Sequence, residues 1–137
     1  MSQLPTSYPH TCVFCVRISR GEYDKEYPGF SFEPLNPVTP GHRLFVPPQH
    51  VVDAAVEPEV AGRVFAAAAE YARQGEDFNL ITSRGEFATQ SVGHLHVHYV
   101  PRFEGDGLTL PWTGQRRADR RPISALGEHS SNPREDR

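Results

Sequence analysis

The stretch His94-Leu95-His96-Val97-His98-Tyr99-Val100 alternates an imidazole with an apolar side chain along its length. A period of two belongs to the β-strand, in which successive side chains point to opposite faces. Leu95, Val97 and Tyr99 therefore face a core, and the three imidazoles stand together along about 13 Å of the other face. A helix would scatter these histidines around its circumference. The chain must accordingly build a sheet with one buried face and one face that carries chemistry.

The remaining elements are read around that strand. Val13 to Arg20 predicts one or two helical turns ending at Gly21, and Phe30, Phe32 and Leu35 predict an extended segment before Pro37. His42-Arg43-Leu44-Phe45-Val46 reads as a strand bounded by Gly41 and by Pro47-Pro48. The long helix spans Glu57 to Gln74: Pro58 lies in its first turn, alanines dominate, Gly75 follows, and Val60, Val64, Phe65, Ala68 and Tyr71 share a face. Phe78 to Ser83 reads as a strand, Arg84 to Gly93 as a loop, and His94 to Val100 as a strand halted by Pro101. This order implies an α+β domain with a mostly antiparallel sheet.

Composition bounds the rest. The 137 residues fit one domain with a modest core. Residues 1–11 read as a loose N-terminal arm and 113–137, poor in apolar side chains and rich in arginine, aspartate and serine, as a flexible tail. No apolar run is long enough to cross a bilayer and the N-terminus lacks the order of a signal peptide, which predicts a cytoplasmic protein without a membrane partner. A net charge of −3 provides no broad basic field, so nucleic acid is not an expected partner, whereas a mononucleotide or dinucleotide remains compatible.

Three of the seven histidines fall within five residues. A solvated strand face is the bland explanation, but lysine, glutamate or threonine serve solubility without titrating near neutrality. Two chemical readings are a three-histidine metal site and nucleophilic catalysis, in which a neutral imidazole attacks an electrophile while its neighbours fix the tautomer. The preceding loop of small and polar residues, 84–93, favours the second, because its backbone amides can point at phosphate oxygens.

The two cysteines, Cys12 and Cys15, form C-x-x-C, half of a zinc site. His50 and His94 are the candidates to complete a Cys2His2 tetrahedron; a pair of buried thiols is the alternative.

Together, G-H-R-L-F-V-P-P-Q-H at 41–50 and Q-S-V-G-H-L-H-V-H-Y-V-P-R at 90–102 resemble the histidine triad (HIT) family, over the span 12–112. The resemblance implies a five-stranded antiparallel α+β fold with one long and one short N-terminal helix, usually a homodimer. It also implies binding of purine nucleotides or dinucleoside polyphosphates, with cleavage or transfer at the α-phosphate. By it, His96 is the nucleophile that forms a nucleotidyl-histidine intermediate, and His98 and His42 orient it and contact phosphate. Gln90 and Ser91 line the phosphate site. Ser83 stands where asparagine is common, Thr89 where glycine precedes the glutamine, and Pro34 where an aspartate or asparagine binds the ribose hydroxyls. Zinc-containing relatives use ligands at the positions of Cys12, Cys15, His50 and His94, where the metal is structural. The implied activity is that of a dinucleoside polyphosphate hydrolase, phosphoramidase or nucleotidyl transferase; the alternative is a nucleotide-binding regulatory module with slow turnover.

Overall fold

A computed structural model describes residues 11–113. The expected arm, but for Thr11, and the expected tail, but for Thr113, lie outside the described residues. The elements in chain order are helix α1 (Val13–Ser19), strands β1 (Phe30–Phe32) and β2 (Arg43–Val46), helix α2 (Pro58–Tyr71), strand β3 (Phe78–Ile81), a single 3-10 turn (Glu86–Ala88) and strand β4 (Val97–Pro101). The strands form one antiparallel sheet in the order β1-β2-β4-β3.

The sheet has four strands where five were expected. Ahead of β1 the chain makes one isolated bridge, Asp24 to Ser31, in place of a ladder. The intervening Asp-Lys-Glu-Tyr-Pro-Gly is poor strand sequence, and Gly29 at φ +66° turns the chain away.

Strand alternation distributes the core over both faces. Phe45, Val97 and Tyr99 pack with Val60, Val64 and Ala68 of α2. On the other face Phe32, Leu44 and Val46 pack with Cys12, Phe14, Cys15 and Ile18 of the α1 segment. The histidine face is thus itself partly roofed by α1. Among the described residues Leu95, Val97 and Tyr99 are buried, as the alternation requires.

Several boundaries differ from expectation, β3 for instance ending at Ile81 rather than Ser83, and two of the differences have a tertiary reason. Helix α2 stops at Tyr71 rather than Gln74, with Ala72 already extended at ψ 135° and the Arg73 N–H donated to the Tyr99 hydroxyl at 3.4 Å. The histidine strand begins at Val97 rather than His94, because its neighbour β2 ends before Pro47-Pro48 and supplies no further ladder partners. Leu95 N–H goes to the Val51 carbonyl instead, at 2.6 Å. Among the described residues no helix is long and apolar enough to cross a membrane.

The chain divides after Asp106 into two compact units. In the second, the Thr113 N–H donates to the Leu110 carbonyl at 2.8 Å, closing a turn around Pro111-Trp112.

Candidate active site and metal centre

His96 is 7% exposed and its Nδ1 lies 2.8 Å from the carbonyl of His94. A carbonyl only accepts, so Nδ1 carries the proton and the Nε2 lone pair is free. Among the described residues no protein atom hydrogen-bonds Nε2. Thr82 Oγ1 donates to the His96 carbonyl at 2.7 Å, which ties the triad segment to the end of β3.

The other two expected catalytic histidines meet across the sheet. Gly41, at φ +88° and with room for no more than a tight Cβ against Pro101, turns the chain into β2 and sets His42 on the face shared with His98. The Val38 N–H donates to His42 Nδ1 at 3.1 Å, so the neutral His42 ring holds its proton on Nε2. That proton points at His98 Nδ1, 2.9 Å away. His98 in turn must hold its own proton on Nε2. The backbone thereby fixes two tautomers in sequence. Burial lowers the pKa of His42, and burial followed by the neighbouring His96 and His42 rings lowers that of His98 to about 4. Both rings are neutral near pH 7, as a tautomer chain requires. The His96 and His98 ring centroids lie 5.2 Å apart.

The loop 84–93 is held by Gln90. Its side-chain Oε1 accepts from Gly85 N–H at 3.0 Å, and its Nε2 donates to the carbonyls of Val52 at 2.8 Å and Val92 at 3.1 Å. The N–H groups of Thr89 and Gln90 are also engaged, with Glu86 and Gly85 carbonyls at 3.0 Å each. Gln90 therefore staples the loop. Ser91 is exposed and Ser83 half-buried. Thr89 adopts φ +66°, so the chain keeps a left-handed turn here with a β-branched residue.

Cys12, Cys15, His50 and His94 come together, their ligating atoms all within 4.8 Å of one another. Cys15 Sγ lies 3.2 Å from His50 Nδ1 and 3.4 Å from His94 Nδ1, with Cys12 Sγ also 3.4 Å from His94 Nδ1. Tetrahedral zinc with ordinary bond lengths separates sulfur and nitrogen ligands by about 3.6 Å, so the donor set fits. His94 is completely buried and its Nε2 donates to the Pro47 carbonyl at 3.1 Å, which aims the Nδ1 lone pair at the two sulfurs. Burial pushes the Cys15 thiol up to about 12, with Cys12 adding to the shift, and burial pushes His94 down to about 4. A buried cluster of this kind gains most from a cation that takes thiolate and neutral imidazole together.

Several contributors to the site carry little signal in the sequence. Phe14 packs edge-on against both His94 and His96, with centroids 5.9 and 5.2 Å away. A signal existed, since a residue inside the C-x-x-C motif is carried to whatever the two cysteines pack against. The Val38 amide and Thr82 left no sequence signal. A cavity of about 740 Å³ lies between α2 and the Tyr23–Phe30 segment, lined in part by Tyr27, Phe45 and Val64, and none of the site histidines borders it.

Residues 27–105 match the HIT domain family. The chain is 33% identical over 114 residues to the protein Hit of Bacillus subtilis, covering 74% of this chain and 78% of that one. It is 27% identical over 121 residues to an adenosine 5′-monophosphoramidase of Saccharomyces cerevisiae, covering 81% and 75% respectively. Among solved structures it resembles a HIT family hydrolase from Clostridium thermocellum, with a TM-score of 0.61 and 27% identity over 75% of this chain and all of that one. A HIT family protein from Bacillus anthracis superposes with a TM-score of 0.58 and 31% identity over 90% and 95% of the two chains. The triad geometry, the Cys2His2 cluster and these likenesses agree: the chain belongs to the HIT family.

Proposed function

We propose that the protein is a nucleotide hydrolase or nucleotidyl transferase acting at the α-phosphate of a nucleoside phosphate ester, anhydride or phosphoramidate through an intermediate on His96. The observation that carries this reading is the bond from His96 Nδ1 to the His94 carbonyl, which leaves Nε2 as a directed lone pair. The phosphoramidase among the relatives makes a phosphoramidate the first substrate to try.

In the first step the Nε2–phosphorus bond forms and the bond to the leaving group breaks, an amine leaving group taking up one proton from solvent as it departs. Positive charge then develops on the His96 ring, and the His94 carbonyl accepts its Nδ1–H more strongly as it does so. His98, its proton fixed on Nε2 by the His42 and Val38 relay, donates to a phosphoryl oxygen. Loop amides from Ser91 onward, with Ser83 on the strand side, supply further donors where negative charge must be held. Water next attacks phosphorus, the nucleoside monophosphate departs with a new oxygen, one proton is released, and His96 returns to its neutral form. Gln90 and Thr89 shape this loop rather than touch the phosphate.

Cys12, Cys15, His50 and His94 would hold a structural zinc ion. Bound there, the metal supplies cross-linking between the N-terminal segment and the triad segment, with four protein ligands and no coordination position for substrate. The assembly is a homodimer in this reading.

His96→Asn keeps a hydrogen bond to the His94 carbonyl but removes the nucleophile. Incubated with adenosine 5′-phosphoramidate, the wild type should show a nucleotidyl adduct by rapid-quench intact mass spectrometry and the variant none, with turnover down at least about 1,000-fold. An adduct of equal yield on the variant would falsify the assignment. If instead the wild type forms the adduct but releases nucleotide only slowly, the regulatory-module reading prevails.

A further inference from the structure

We propose that Asp53 and Arg84 are a positioning pair that fixes where the 84–93 loop opens beside His96, so that the loop's donors are in place before a phosphoryl group arrives. The inference rests on the reading of this loop as the phosphate-holding element of a site centred on His96. It adds to that reading two residues that act on the loop rather than on the substrate.

The loop has little besides polar ties to hold it. None of residues 84–93 is buried, and Val92 alone rests against an apolar cluster. A segment with so little packed surface belongs to the low-stability end of a fold, and a few bonds decide where it sits. Those bonds lead to three successive residues of another segment. The Val51 carbonyl accepts from Leu95 N–H at 2.6 Å, the Val52 carbonyl accepts from Gln90 Nε2 at 2.8 Å, and Asp53 Oδ2 lies 3.5 Å from Arg84 Nε. The first tie lies just past the loop, the second near its far end and the third at its opening.

Residues 51–53 make a fixed edge for the loop to lean on. Val51 is buried in the α2 cluster, and Asp53 Oδ1 accepts from the N–H groups of Ala55 at 2.8 Å and Val56 at 3.2 Å, in a turn that leads toward α2. One carboxylate oxygen builds the turn, and the other faces Arg84. The Asp53 side chain is 8% exposed and that of Arg84 69%. A buried carboxylate gains from a cation beside it, whereas a pair with one member so exposed adds little to global stability. Its effect is local. Thr82 Oγ1 donates to the His96 carbonyl at 2.7 Å, so Arg84 is anchored two residues beyond the point where the chain touches the backbone of the nucleophile. Releasing Arg84 lets the opening of the loop drift while Gln90 still holds its far end, and donors that must hold charge in the transition state lose their aim.

Asp53→Asn separates the roles of the two oxygens, because the asparagine carbonyl still accepts from Ala55 and Val56 while its amide turns a donor toward the guanidinium. The test measures kcat and KM for adenosine 5′-phosphoramidate, well below Tm, in wild type, Arg84→Met, Asp53→Asn and the double variant. Each single variant should lose about fivefold in kcat, the scale of one exposed ion pair, with KM within about twofold of wild type. The double variant should lose no more than either single one, since both remove the same interaction. Arg84→Met should melt within about 2 °C of wild type, so that its slower turnover cannot come from a weakened fold. Unchanged kcat in Arg84→Met, a loss confined to KM, or a double variant that multiplies the two single losses overturns the inference. Should Asp53→Asn fail to fold, Arg84→Lys takes its place: a retained cation should keep at least about half of the wild-type kcat, and a lysine variant as slow as Arg84→Met refutes the pair. Absence of turnover and of adduct in the wild type itself would instead remove the underlying catalytic reading, and this inference with it.

Discussion

At the scale of single residues, the histidines differ by what their second nitrogen touches. His96 is oriented by a carbonyl, His42 by an amide, and His98 by His42. His98 has a pKa near 4 in the folded chain, lowered by burial and by its two neighbouring rings, against about 6.5 when unfolded. Between these values the unfolded chain binds the additional proton. Stability is therefore level above about pH 7 and is lost as the pH falls through that window. His42, also shifted downward by burial, works in the same direction. Thermal unfolding followed from pH 7.5 to pH 4.5, two working values near about the ends of this range, should show a shallower decline in His98→Asn than in wild type. Parallel curves would mean that His98 is not the group being protonated.

At the scale of elements, the loop between β3 and β4 carries a local conflict between sequence and conformation. Thr89 closes the 3-10 turn at φ +66°, ψ 35°, where a β-branched side chain is strained by about 1–2 kcal/mol. The neighbouring Gln90 bonds hold it there. Thr89→Gly removes the side-chain clash but adds freedom to the unfolded chain. The net expectation is a gain of up to about 1 kcal/mol in urea unfolding, and a loss of stability would show that the threonine is not strained. The sheet shows the same division: alternation placed Leu95, Val97 and Tyr99 in the core, yet where the ladder begins was decided by Pro47-Pro48, which follow the end of another strand.

For the whole molecule, the Cys2His2 cluster joins pieces that are far apart in sequence: the first helix, the segment after β2 and the entry to β4. Cys12→Ser, or removal of metal by a strong chelator, should lower stability by about 3 kcal/mol or more, roughly 10 °C in Tm. Turnover measured well below the new Tm should fall far less, because His96 keeps its own carbonyl partner. Equal loss of activity in fully folded protein would assign the cluster to catalysis. By itself the sequence determined the alternation of the triad segment and the apolar stripe of α2, and it singled out Cys12, Cys15, His50 and His94, which come together in a cluster that could hold a metal ion, since strand period, helix period and ligand chemistry are local properties of residue type and spacing. Only the tertiary structure decided that a fifth strand shrinks to one bridge, that α1 roofs the histidines, and that Val38 and Pro47 fix ring tautomers. Those outcomes depend on which backbone groups are left without partners when distant segments pack, and no spacing along the chain records that.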